Sequence, residues 1–113
     1  MSSKGKKPVV VYGASGYTGR LVCEFLRQYQ IPFIAAGRDG KRVQEVMDKL
    51  PGIETADYEV AEVSNETDDL AKLFKGAKVV CNIVGPFERF GEPVVQAALE
   101  AGVHYIDTTG EPA

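Results

Sequence analysis

At 113 residues, 44% hydrophobic and 26% charged, the chain holds material for one hydrophobic core and not for two, because domains run to about 100–150 residues. A net charge of −3 excludes a general nucleic-acid binder, which needs a basic surplus to displace counterions along a phosphate backbone. No apolar run approaches the ~18–20 residues of a membrane span and no signal-peptide pattern is present, so the expectation is one cytoplasmic domain over residues 1–113, with no membrane partner.

Residues 1–7 read as a polar tail, in which Lys4, Lys6 and Lys7 are solvated. Val9 to Tyr12 is a β-branched run that forms a buried strand, with Pro8 at its start. Glycines follow at Gly13, Gly16 and Gly19. Tyr17, Leu21, Val22, Phe25, Leu26 and Tyr29 then recur at helical spacing as one apolar stripe, which should pack on something large. Pro32 closes that helix. "IPFIAAG", residues 31–37, is a second buried strand, and Asp39 offers an N-cap to a helix with Val43, Val46, Met47 and Leu50 on one face. Pro51-Gly52 ends it.

"YEVAEV", residues 58–63, is the third strand. Asn65 or Thr67 then caps a helix carrying Leu70, Leu73 and Phe74, which Gly76 stops. "AKVVCNIVG", residues 77–85, is the fourth strand. After the loop "GPFERFGE" comes a helix with Pro93 in its first turn, Val94, Ala97, Ala98 and Ala101 facing inward, and Gly102 as its end. "VHYIDTTG", residues 103–110, is the fifth strand and its exit loop. Cys23 and Cys81 have no CxxC spacing and sit in apolar patterns, so they read as small buried hydrophobes. His104, the one histidine, lies within strand five and has no His or Cys at ligand spacing, which makes it a structural or surface residue and leaves no metal site. The acids Glu66, Asp68 and Asp69 near a helix start complement its dipole.

Five strands alternating with four helices define an α/β protein, a three-layer doubly wound parallel sheet with helices on both faces. Right-handed crossovers favour the strand order 3-2-1-4-5, with 2-1-3-4-5 as the competing topology. In this setting Gly13 permits the tight turn out of strand one, Gly16 lets the backbone approach a diphosphate, and Gly19 allows close packing of helix on strand. The N–H groups at the helix start and the positive end of its dipole suit a pyrophosphate, and Ser15 and Thr18 add hydroxyl donors. The spacing is GxxGxxG, with Ser15 standing where the GxGxxG fingerprint has its second glycine. A structural turn and an FMN or mononucleotide site are the alternatives.

The stretches "GASGYTGR", "AAGRD" and "CNIVGPFERFGEPVVQAALEAGVHYIDTTGEP" resemble the N-terminal dinucleotide-binding half of saccharopine dehydrogenase-like oxidoreductases, a group that includes trans-acting enoyl reductases. The resemblance spans nearly the whole chain. It implies a Rossmann fold, NAD(P) binding, and a substrate domain that lies outside this chain. By position on the family motif, Gly13, Ser15, Gly16, Tyr17, Thr18 and Gly19 would hold the diphosphate, and Arg38 with Asp39 would flank the adenosine ribose. Glu62 and Val63 would meet the adenine edge. Gly85, Pro86 and Phe87, after strand four, would lie at the switch-point crevice beside nicotinamide. For these three a turn that only positions a helix is the alternative. Asp107, Thr108, Thr109 and Glu111 are candidates for substrate contact, or simple turn and cap residues.

The expected cofactor is NADP, with NAD less favoured. NAD sites place an Asp or Glu about 20 residues past the first glycine, where it accepts the ribose hydroxyls. Here the tip of strand two reads Ala36-Gly37-Arg38. Arg38 can meet a 2′-phosphate with a planar fork of donors, helped by Lys41 or Arg42, while a carboxylate from Asp39 on the ribose is the alternative.

The functional expectation is the cofactor half of an oxidoreductase, which holds NADP(H) for hydride transfer to a substrate bound elsewhere and does not turn over alone. A non-catalytic dinucleotide sensor or interaction module is the alternative. A short-chain reductase or epimerase is disfavoured because no tyrosine has a lysine four residues on. In the order 3-2-1-4-5 strand five is an edge, and Val103, Tyr105 and Ile106 are expected to support weak homodimerisation through it.

Overall fold

The computed structural model describes residues 7–83 and 87–107. Five strands, β1 (Val9–Tyr12), β2 (Phe33–Gly37), β3 (Tyr58–Glu62), β4 (Val79–Asn82) and β5 (His104–Asp107), form one sheet. Its order is β3-β2-β1-β4-β5 and every pairing is parallel, which rules out the competing order. Between them run α1 (Tyr17–Gln28), α2 (Gly40–Asp48), a 3₁₀ turn (Ile53–Thr55), α3 (Thr67–Phe74) and α4 (Phe87–Ala101).

All residues of β1 and β2 are buried, as continuous apolar runs in a parallel sheet require. Alternate residues serve two cores. Val10, Tyr12, Ile34, Ala36 and Val80 meet Leu70 and Phe74 of α3 and Val94, Ala97 and Ala98 of α4. Val9, Val11, Phe33 and Ala35 meet Cys23 of α1 and Val43 and Met47 of α2. Tyr12 pairs in register with Ala36 and Asn82, Asn82 with Asp107, and Gly37 with Glu62, so the carboxyl ends of the strands lie flush along one edge.

Four expectations are corrected. The stripe on α1 does not all pack inward: Gly19 and Cys23 are buried, whereas Tyr17 and Tyr29 are each 71% exposed and Phe25 59%. Val22 and Leu26 of the stripe do pack against the core, and Gly19 takes the line nearest β1 because helix and loop touch there backbone to backbone. Lys7 is not part of a solvated tail. Its ammonium is buried, 2.9 Å from Asp57 Oδ1 and 3.7 Å from Glu59 Oε2, because Pro8 is drawn into the sheet by Lys78 and Val79, whose N–H groups donate to its carbonyl. Pro93 lies inside α4, which begins at Phe87. The proline forgoes one i→i−4 bond, and burial of Val94, Ala97 and Ala98 just after it outweighs that loss. Neither Asn65 nor Thr67 caps α3: Glu66 holds the N-cap position with no side-chain bond, and Asn65 turns instead to Tyr12.

Other local expectations hold. The Asp39 carboxylate accepts from Arg42 N at 3.2 Å and caps α2. Gly76 and Gly102, with φ of +91° and +73°, stop α3 and α4 in a backbone conformation that suits glycine. Gly52, φ +76°, instead opens the 3₁₀ turn, since α2 already ends at Asp48 with Lys49 as its C-cap. Cys23 and Cys81 are free; Cys23 is buried as expected and Cys81 half-buried, and burial pushes the Cys23 thiol up to about 12, so it stays protonated. His104 is exposed at the start of β5.

The end of α1 carries a local strain. Gln30 has φ +58°, while the N–H of Ile31 donates to the Leu26 carbonyl at 2.9 Å to close the helix. Left-handed backbone costs a side-chain-bearing residue about 1–2 kcal/mol, and glycine gives back part of the gain through its freer unfolded state. Gln30→Gly should therefore stabilise the domain by about 0.5–1 kcal/mol, read as a higher urea midpoint at unchanged m-value.

Candidate functional site

The turn from β1 into α1 is built from three glycines with three different reasons. Gly13 has φ +92° and its N–H donates to the Ala36 carbonyl at 2.9 Å, which ties the loop to β2. At Gly19 a Cβ would collide with the Gly13 carbonyl oxygen and stand 2.8 Å from Ala14 Cα, so helix and loop touch backbone to backbone. Gly16 differs. Its φ of −78° is ordinary, and a Cβ there would meet nothing closer than the Gly13 oxygen at 3.6 Å. The protein itself does not require glycine at position 16, so the space it leaves open faces outward, where a ligand would lie.

Gly16 is the N-cap of α1, without a side-chain cap and with no acid in the first turn. The first N–H groups of this helix and the positive end of its dipole are therefore not neutralised by any carboxylate of their own turn. Thr18 is exposed and Ser15 half-buried at this corner. Tyr17 lies outward with the Arg20 guanidinium 5.8 Å above its ring.

Beside the loop an open pocket of about 200 Å³ is lined by Tyr12, Gly13, Ser15, Gly37, Arg38 and Asp39. It joins the glycine turn to the tip of β2. Two other hollows, of about 160 and 240 Å³, lie along the outer face of α1, the second reaching Lys49 to Pro51, and the glycine turn lines neither. Arg38 is exposed, and its positive charge acts on the Tyr12 phenol, whose burial raises its pKa more than Arg38 lowers it. Asp39 is engaged as the cap of α2, and Arg38 stands beside it at the β2 tip.

The residues proposed for the adenine edge separate in the structure. Val63 is buried in the α3–α4 core and its N–H donates to the Gly37 carbonyl at 2.9 Å. Glu62 is exposed, and its Oε1 accepts from Gly40 N at 2.8 Å, placing the carboxylate at the start of α2. Gly85 and Pro86 lie outside the described residues, as do Thr108, Thr109 and Glu111, whereas Phe87 opens α4 and Asp107 closes β5.

Two polar pairs at this edge escaped the pattern reading. The buried Tyr12 hydroxyl donates to Asn65 Oδ1 at 2.8 Å, bridging β1 to the loop before α3. Asn82, 1% exposed at the end of β4, donates through Nδ2 to the Tyr105 hydroxyl at 2.9 Å. The signal was present as one phenol and one amide at the ends of otherwise aliphatic strands. Buried polar groups need such partners.

A doubly wound parallel sheet with a glycine turn feeding an uncapped helix at its carboxyl edge defines the class of Rossmann-type dinucleotide-binding domains. Residues 9–112 match the family described as the saccharopine dehydrogenase NADP binding domain, and the chain belongs to that family. It is 40% identical to a lipid droplet localized protein of Caenorhabditis elegans, over 93% of this chain and 26% of that one. It is 39% identical to a saccharopine dehydrogenase-like oxidoreductase of Mus musculus, over 92% of this chain and 28% of that one. The chain thus spans little more than a quarter of the length of these relatives. Among solved structures, an NADPH-dependent quinone oxidoreductase from Escherichia coli, complexed with NADPH, shares the fold with a TM-score of 0.65 and 21% identity, over 84% of this chain and 34% of that one. No described helix is long and apolar enough to cross a membrane.

The glycines give a paired expectation. Gly19→Ala should destabilise the domain by about 1–3 kcal/mol through overpacking. Gly16→Val should unfold at nearly the wild-type denaturant midpoint and yet bind no dinucleotide. Unchanged affinity in a folded Gly16→Val protein would remove the diphosphate from this corner.

Proposed function

We propose that this domain holds NADP(H) along the carboxyl edge of its sheet and presents it for hydride transfer to a substrate bound by polypeptide outside these residues. The observation that carries the reading is the uncapped start of α1 behind a glycine turn that leaves space at Gly16. On this reading Gly13, Ser15, Gly16, Tyr17, Thr18 and Gly19 cradle the diphosphate, and Arg38 and Asp39 border the adenosine ribose. Gly85, Pro86 and Phe87 border the nicotinamide ribose, and the loop after β3 with Glu62 and Val63 borders the adenine. The cofactor supplies the hydride; the chain binds and orients it.

A separate substrate unit fits two facts. The relatives extend well beyond the matched stretch, and Tyr17, Leu21, Phe25 and Tyr29 leave an apolar face on α1 of the kind that further polypeptide covers. The edge position of β5, with Ile106 54% exposed, supports weak self-association there, although Val103 and Tyr105 are partly buried against the α3–α4 core. Free thiols suit a reducing compartment, which supports a cytoplasmic location.

Preference for NADP over NAD rests on Arg38. Arg38 lines the pocket at the β2 tip, and its planar fork of donors suits a 2′-phosphate, with charge-assisted bonds of about 1.5–3 kcal/mol, a factor of roughly 10 to 150 in affinity. Calorimetry on the wild type and Arg38→Ala tests this: the variant should lose at least about tenfold in NADPH affinity and keep its NADH affinity. Equal losses for both cofactors would show that Arg38 does not read the phosphate.

Hydride transfer also needs a substrate held about 3–3.5 Å from the nicotinamide carbon in a site closed to water. The domain alone should therefore bind NADPH and show no steady oxidation of it with saccharopine or enoyl substrates. Sustained absorbance loss at 340 nm by the pure domain would place the substrate site within these residues.

A further inference from the structure

Of the helices that begin on the carboxyl side of the sheet, α1 and α2 are in opposite electrostatic states. No side chain caps α1 and its first turn holds no acid. The start of α2 holds two carboxylates: Asp39 on Arg42 N at 3.2 Å and Glu62 on Gly40 N at 2.8 Å. Asp39 is a local cap, three residues from its donor. Glu62 comes from β3, twenty-two residues away in sequence, and reaches α2 because its backbone pairs in register with Gly37 at the tip of β2. Gly40 makes room for it, since a Cβ there would stand 3.0 Å from Glu62 Cβ and 3.1 Å from Oε1.

Resting on the reading that Arg38 meets the 2′-phosphate, we propose that Glu62 is a specificity-determining residue that opposes Arg38 and holds the NADP preference down. A 2′-phosphate beside Arg38 arrives next to the first turn of α2. That helix start draws anions through its N–H groups and its dipole. Glu62 already supplies a negative charge there and occupies the first N–H, so the phosphate meets Arg38 and the Glu62 carboxylate together. A ribose hydroxyl in NAD carries no charge and is not repelled by Glu62. Both Glu62 and Arg38 are exposed, so the repulsion is screened by water and salt, and it is modest in size.

The proposal separates charge from structure in one substitution. Glu62→Gln keeps an oxygen that accepts from Gly40 N and removes the charge. Titration calorimetry of the wild type and this variant with NADPH and with NADH, at low and at high salt, is the test, with circular dichroism to check the fold. The NADPH-to-NADH affinity ratio should rise about three- to tenfold at low salt, because any contact of Glu62 with the adenine is common to both cofactors and cancels, and the rise should shrink as salt increases. Glu62→Ala, which removes bond and charge together, should shift the NADPH-to-NADH ratio in the same direction if Glu62→Gln does not fold. An unchanged ratio in a variant that still binds overturns the role of Glu62 and leaves the site itself standing. A wild-type domain that binds neither dinucleotide overturns the parent reading and this inference with it.

Discussion

The backbone contact between α1 and the loop after β1 governs the rest of the architecture. With Gly19 against Gly13 and Ala14, the helix starts directly beside the end of the central strand, and no side chain of the N-cap residue and no acid of the first turn covers its start. The same closeness puts Gly19 and Cys23 on the innermost line of α1, with Val22 and Leu26 packed beside them, and its rings lie outward. One steric constraint thus creates both the anion-seeking helix end and the apolar outer face.

Around that contact the domain distributes charge unevenly. Carboxylates from two different elements quiet the start of α2, and the start of α1 keeps its partial positive charge. A dinucleotide carries its most concentrated charge at the diphosphate, so in the proposed pose the open helix end faces that group. The α2 end and Arg38 then act on the ribose, where NAD and NADP differ.

Hydrogen-bonded polar pairs hold the rim of this edge. Tyr12 with Asn65 and Asn82 with Tyr105 each join a strand end to a neighbouring element across a partly dry environment. Each bond contributes about 0.5–1.5 kcal/mol net, and leaving either partner buried without the other costs about 1–3 kcal/mol. Their value lies in fixing loop positions: Asn65 is held to Tyr12 and is thereby withdrawn from capping α3.

The chain order of strands and helices, the parallel sheet and the glycine corner were legible in the sequence, because apolar periodicity and the conformational freedom of glycine are local properties. Asp39 as a cap was legible for the same reason. Tertiary packing decided the remainder. Which side of α1 faces inward depended on how near β1 lies, and helical spacing alone does not encode that distance. Lys7 was placed by the pairing of distant strands that bring Asp57 and Glu59 beneath it. Pro93 sits inside α4 because the burial that follows outweighs a local rule. Glu62 reaches Gly40 only because β3 pairs with β2 in a register that aligns Glu62 with Gly37. A single sequence displays its local preferences openly, whereas contacts between residues tens of positions apart exist only once the sheet has set their register.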